Sequence, residues 1–139
     1  MIALLPRFVA PAAPLLAAAG QSVLLLIASG AGVRGASSSY AYAASKAGLI
    51  GMTQCLAVEH GPSGIRVNAL LPGGTKTPMS GDFSDDPQAE ETIASFHALK
   101  RMACPEEIAE VALFLASDAS SFVTGSAMLA DGGNAITKV

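Results

Sequence analysis

Charge is scarce in this chain and its basic residues do not cluster: eight Lys and Arg against eleven Asp and Glu in 139 residues give a net charge of −3. Without a basic patch there is no electrostatic footprint for nucleic acid or for an acidic membrane surface, so neither is expected as a partner. Small neutral or mildly anionic molecules fit better. Cysteine is nearly absent: Cys55 and Cys104 lie far apart, with no His or Cys near them at metal-ligand spacing. That argues against zinc and against a disulfide scaffold. The pair reads as two buried small hydrophobes in a protein of the reducing cytoplasm. No stretch reaches about 18 uninterrupted apolar residues, so a membrane span is not expected. The opening MIALLPRFVAPAAPLLAAAG mimics a secretion signal, but Pro6, Pro11 and Pro14 break its apolar run, and it reads instead as a covering helix kinked by those prolines.

What the chain does have is apolar bulk. Hydrophobic residues make up 51% of it, which excludes disorder, and residues 1–139 read as a single domain. Ser22 to Ile27 (SVLLLI) is a short continuous apolar run between glycines, the pattern of a strand buried on both faces of a parallel sheet. From about Ala41 to His60, Leu49, Met52, Leu56 and Val58 recur near helical spacing, and Gly61-Pro62 ends the run. Ile65 to Leu71 is a second strand, closed by Pro72-Gly73-Gly74. Residues 80–100 are the most polar part, read as a loop leading into an exposed helix. Pro105-Glu106-Glu107 opens another helix, with Ile108, Val111, Ala112 and Leu115 as its buried stripe. A last strand covers about Ala127 to Ala130. Strands separated by helical crossovers imply an α/β fold with a parallel sheet.

Two motifs compete for the chemistry. Gly30-Ala31-Gly32-Val33-Arg34-Gly35 formally matches the dinucleotide fingerprint GxGxxG, which needs a helix opening within the glycines and an acid at the end of the next strand. Here Ala36-Ser37-Ser38-Ser39 continues the loop and the next strand ends without a carboxylate, so the match reads as false. Tyr42-Ala43-Ala44-Ser45-Lys46 is the stronger signal. Residues four apart share a helix face and can hold a phenol and an ammonium over one site. A phenol is a poor proton shuttle at neutral pH, and a neighbouring cation favours its anion. Tyr40 has alanine four residues on, so only Tyr42 qualifies.

With these residues in view, IASGAGVRGASSSYAYAASKAGLIGMTQCLAVEHGPSGIRVNALLPGGTKTPM and LKRMACPEEIAEVALFLASDASSFVTGSAMLADGG resemble the second half of the short-chain dehydrogenase/reductase family, most closely its 3-oxoacyl-thioester-reductase-like branch. The resemblance covers nearly the whole chain, and Ser29 stands thirteen residues before Tyr42, where the family places its serine. It implies a partial doubly wound Rossmann-like parallel sheet with covering helices, lacking the N-terminal βαβ nucleotide-binding half. It also implies NAD or NADP as cofactor, held at the nicotinamide end only. Ser29 would bond the reacting oxygen, Tyr42 would give or take the proton, and Lys46 would bind ribose hydroxyls. Pro72, Gly73, Thr75 and Thr77 would line the nicotinamide alongside Tyr42 and Lys46, with glycine allowing close backbone approach. Ser29, Ala31 and Met79 would meet the substrate, a carbonyl or alcohol. His60 and His97 match no catalytic position and read as surface or helix-end residues. The family further implies a homodimer or homotetramer through the Tyr42–Lys46 helix and the N-terminal helix.

The family's glycine-rich phosphate loop and its Asn-Asn-Ala-Gly segment are not found in these residues. Weak cofactor binding, an exposed sheet edge and reduced stability are therefore expected of the chain by itself. The alternative reading is a non-catalytic fragment that keeps an oligomerisation surface.

Overall fold

A computed structural model of the chain describes residues 5–35, 39–81 and 86–137. Helix α1 (Leu5–Ala18) leads into strand β1 (Ser22–Ile27), and a 3₁₀ turn at Gly30–Gly32 precedes helix α2 (Tyr40–His60). Strand β2 (Ile65–Pro72), helices α3 (Pro87–Ser95) and α4 (Pro105–Ala116) and strand β3 (Ala127–Ala130) follow. The strands form one parallel sheet in the order β1-β2-β3. Ser22 stands opposite Ile65 and Ile27 opposite Leu70, while Ala69 to Pro72 pair with Ala127 to Ala130. The expected α/β arrangement is what the chain adopts.

Strand β2 is central and dry: Val67, Asn68, Ala69, Leu70 and Leu71 are fully buried. Its alternation sorts the two faces. Ile65, Val67, Ala69 and Leu71 pack with Leu26, Ala28, Leu49 and Ala57, which puts the apolar clusters under α2. On the opposite face Arg66 donates to the carbonyls of Leu115 and Ser117 and to Ser120 Oγ, clamping the end of α4. The Asn68 amide donates to Val123 O and accepts from Ser126 N–H, so this buried polar side chain is satisfied at both ends. Helix α1 runs through Pro11 and Pro14 and rests on β1 through Leu16 and Ala17, with Ser22 Oγ donating to Leu16 O.

Four details differ from the expectations. Strand β2 extends one residue further, through Pro72, which pairs with Ala130 at the sheet's end. Val58 is 80% exposed; the buried face of α2 is Leu49, Thr53 and Ala57, because nine residues from Leu49 at 3.6 per turn puts Val58 on the far side. Cys55 and Cys104 are exposed free thiols rather than core residues: one sits on the outer face of α2, the other at the cap of α4. His97 is 2% exposed, not a surface histidine, since it lies between α3 and the loop after β2. Among the described residues no helix is long and apolar enough to cross a membrane.

Candidate active site

The C-terminal ends of β1 and β2 and the start of α2 converge on one cavity of about 600 Å³. Ser29 follows the buried Ala28 just past β1, in an extended conformation, and caps the Gly30–Gly32 turn, its Oγ accepting from Ala31 N–H at 3.2 Å. The hydroxyl hydrogen remains for another acceptor. Gly32 explains why this turn lies so near α2: a Cβ there would stand 2.9 Å from Lys46 C and 3.0 Å from Ala47 N. Any side chain at Gly32 would push Ser29's turn off the helix that carries Tyr42 and Lys46.

Tyr42 sits in the first turn of α2, 46% exposed, and Lys46 stands one turn later. The Lys46 ammonium donates to Ile27 O at 3.0 Å and lies 5.5 Å from the Tyr42 ring centroid. One helix face thus brings phenol and cation together, while the strand-end carbonyl fixes where the cation points. Tyr40 is 84% exposed and does not line the cavity.

The third wall is the loop after β2. Pro72, Gly73, Gly74, Thr75 and Thr77 all line the cavity, as does Met79 at the rim, 92% exposed. Close approach does require both glycines, but to the protein itself. A Cβ on Gly73 would fall 2.7 Å from Asp131 Cα, and one on Gly74 2.7 Å from His97 Cε1. Asp131 holds the turn after β3, accepting from Gly133 N–H and Ala135 N–H. His97 Nε2 accepts from Gly74 N–H at 2.9 Å, and its Nδ1 lies 2.9 Å from Ile93 O, which makes Nδ1 the protonated nitrogen. The loop is further pinned by the Thr75–Ala103 bridge and by Lys76, whose ammonium pairs with Glu90 of α3 at 2.5 Å. That carboxylate holds the lysine's pKa above its ordinary value. Ser80 Oγ lies within hydrogen-bond distance of Thr77 N and Thr75 O, closing the turn at the rim.

Ser29, Tyr42, Lys46, Pro72, Gly73, Thr75, Thr77 and Met79 therefore share one cavity. Ala31 does not; it lines a second cavity of about 560 Å³ that adjoins the first across Ser29, Pro72, Gly73 and Gly74. His97 and Asp131 support the loop without a local mark in the sequence, because the glycines they meet, Gly74 and Gly73, are distant along the chain. Gly30 to Gly32 form a 3₁₀ turn rather than the start of an α-helix, and helix α2 begins at Tyr40; Ala36, Ser37 and Ser38, expected to continue the loop, lie outside the described residues. The first cavity's chemistry suits a nicotinamide riboside. Ile27, Ala28, Pro72 and Ile108 offer apolar walls, and the Lys46 ammonium has three donors, of which Ile27 O takes one. Among the described residues no group of His, Cys, Asp and Glu is placed to hold a metal.

Known proteins are similar to this chain in sequence and in fold. A family model described as enoyl-(acyl carrier protein) reductase matches residues 5–135. A solved structure named as a short-chain dehydrogenase/reductase family protein superposes with a TM-score of 0.82 at 40% identity, covering 93% of this chain and 52% of its own. The chain belongs to the short-chain dehydrogenase/reductase family. It is 42% identical over 118 residues to a cis-4-hydroxycyclohexanecarboxylate dehydrogenase of Sinomonas cyclohexanicum, covering 85% of this chain and 47% of the relative. A solved 4-hydroxyisoleucine dehydrogenase complexed with NADH is 34% identical with a TM-score of 0.78, covering 84% of this chain and 48% of its own. The chain thus spans about half the length of the relatives it matches.

Proposed function

We propose that this chain carries the reacting half of an NAD- or NADP-dependent oxidoreductase that interconverts a secondary alcohol and a ketone. The observation that carries the reading is that Ser29, Tyr42 and Lys46, from a strand end and one helix face, line a single cavity. The nicotinamide, when bound, supplies or accepts the hydride at the substrate carbon. The chain's residues manage the oxygen. Ser29's hydroxyl donates to the carbonyl oxygen and orients it. Tyr42 gives its phenolic proton to that oxygen in reduction and takes one back in oxidation. Lys46 directs its ammonium to ribose hydroxyls and supports negative charge on the phenol oxygen. Pro72, Gly73, Thr75 and Thr77 form the wall against the carboxamide, and Met79 covers the substrate from the rim.

Relatives by name handle ring alcohols and hydroxy acids, and one is bound to NADH, which supports alcohol–ketone chemistry and NAD(P) rather than one particular member of the pair. The 3-oxoacyl-thioester branch stays within that class. We place the protein in a reducing cytoplasm, in keeping with its two free thiols. We further propose a homodimer or homotetramer through α1 and α2, whose Phe8, Leu15 and Val58 are exposed. Replacing Lys46 tests the assignment. Steady-state hydride transfer from millimolar NADH or NADPH to a ketone panel should fall in Lys46→Ala by about 10²-fold or more in kcat/KM, the scale of losing a positioned charge. An unchanged value would remove Lys46 from the site.

A further inference from the structure

The second cavity, about 560 Å³, opens from the reacting one across Ser29 and is lined by Gly30, Ala31, Arg34, Phe96 and Asn134 together with the glycine loop. Arg34 is the one charged side chain among the described residues that line it. Its Nη1 is tethered to Asn134, donating to the backbone O and lying 3.5 Å from Oδ1. Its other guanidinium nitrogens have no hydrogen-bond partner among the described residues, so donors remain on a planar, permanently charged group of a partly buried residue. Asp131, the nearest carboxylate behind Gly30, has both oxygens committed to Gly133 and Ala135 N–H groups. Ser29 and Arg34 line this one cavity together with glycines and Phe96, and its volume leaves room for a short hydrocarbon body.

From this we infer that Arg34 is a specificity-determining residue and that the substrate is a hydroxy acid or oxo acid, its carboxylate held by Arg34. Arg34 lines the outer cavity and not the one that holds Tyr42 and Lys46, so the carboxylate lies away from the reacting carbon. A tethered guanidinium offers a carboxylate paired, charge-assisted hydrogen bonds that an amide of the same shape cannot exploit. The inference rests on Ser29 and Tyr42 marking the reacting end.

The test uses the 139-residue chain and three keto acids, 4-oxopentanoate, 5-oxohexanoate and 6-oxoheptanoate, each against its primary amide. Binding is followed by saturation-transfer NMR. At least one acid should bind about tenfold more tightly than its amide; Arg34→Gln should bring that ratio close to one, and Arg34→Lys should keep part of it. A purely structural Arg34 would weaken acid and amide alike and leave their ratio intact. Ratios near one for every pair in the unaltered protein, or a ratio that survives Arg34→Gln, overturn the inference. Turnover separates it from the assignment beneath it. Acid preference with full activity in Tyr42→Phe would sink the reaction and spare the carboxylate site, whereas loss of activity in Tyr42→Phe with no acid preference would do the reverse.

Discussion

Gly74 and His97 form a lock: the ring occupies the space a side chain on Gly74 would need, and its Nε2 takes the Gly74 N–H. Because His97 is buried, replacing it with Phe leaves that backbone donor without a partner. Urea denaturation of His97→Phe should show a loss of about 1–3 kcal/mol, with His97→Gln, which keeps an acceptor, losing less. Equal stability of His97→Phe and the unaltered protein would show that the loop does not depend on this bond. The same pair shows what a sequence can reveal at this scale. Tyr42 and Lys46 announce themselves because their relation is one helical turn. His97 is 23 residues from Gly74, and Arg34 is 100 residues from Asn134, so neither contact leaves a local mark. Cys55 and Cys104 misled for a related reason: a cysteine's usual burial says nothing of which side of a helix it occupies.

Elements were easier to read than their faces. SVLLLI is a strand as its short apolar run implies, although only Ser22 and Leu26 in it are buried rather than both its faces, and Pro105-Glu106-Glu107 could open a helix because proline loses no bond there and acids meet the positive end of the dipole. In α2, by contrast, weak amphipathicity let Val58 pass for a core residue, whereas the small Ala57 and the buried Thr53, bonded to Leu49 O, make the true contact. Helix α4 carries a pH signature that its sequence only hinted at. Glu107 accepts two hydrogen bonds from Arg101 and one from Cys104 N–H, and those donors, Arg101 first, hold its carboxyl at about 2 against an ordinary 4.5. A carboxyl depressed by folding stabilises above its unfolded value and loses that contribution as pH falls toward its folded one. The contribution is thus complete above about pH 5 and fades toward pH 2. Thermal melts should show Glu107→Gln below the unaltered protein at pH 7, by a small margin since the pair is exposed, with the gap closing between pH 5 and 2. A gap that stays constant with pH would mean the ion pair is not its source.

At the scale of the molecule, β1 pairs only with β2 among the described residues, and Ile27 at its end is 50% exposed beside the cavity. Under the proposed function, the hydroxyl, phenol, ammonium and loop that line the cavity would hold the nicotinamide end of the cofactor. The whole-fold reading was legible because strand, crossover helix and strand recur with clear stops; how the two cavities join across Ser29 was not, because that depends on how Gly32 and Gly73 let distant backbones touch. Calorimetric titration of the 139-residue chain with NADH and NADPH should give affinity weaker than about 10⁻⁴ M, and ordinary micromolar binding would mean that these residues grip the whole dinucleotide.

The most direct test is the rate of hydride transfer from millimolar NADH or NADPH to a ketone, measured for the unaltered protein and for Tyr42→Phe with circular dichroism to check the fold. Removing the proton donor while keeping the ring should cut the rate by about 10²–10⁴-fold and leave the spectrum and melt unchanged. Equal rates in the two proteins, including no transfer by either, would contradict the account.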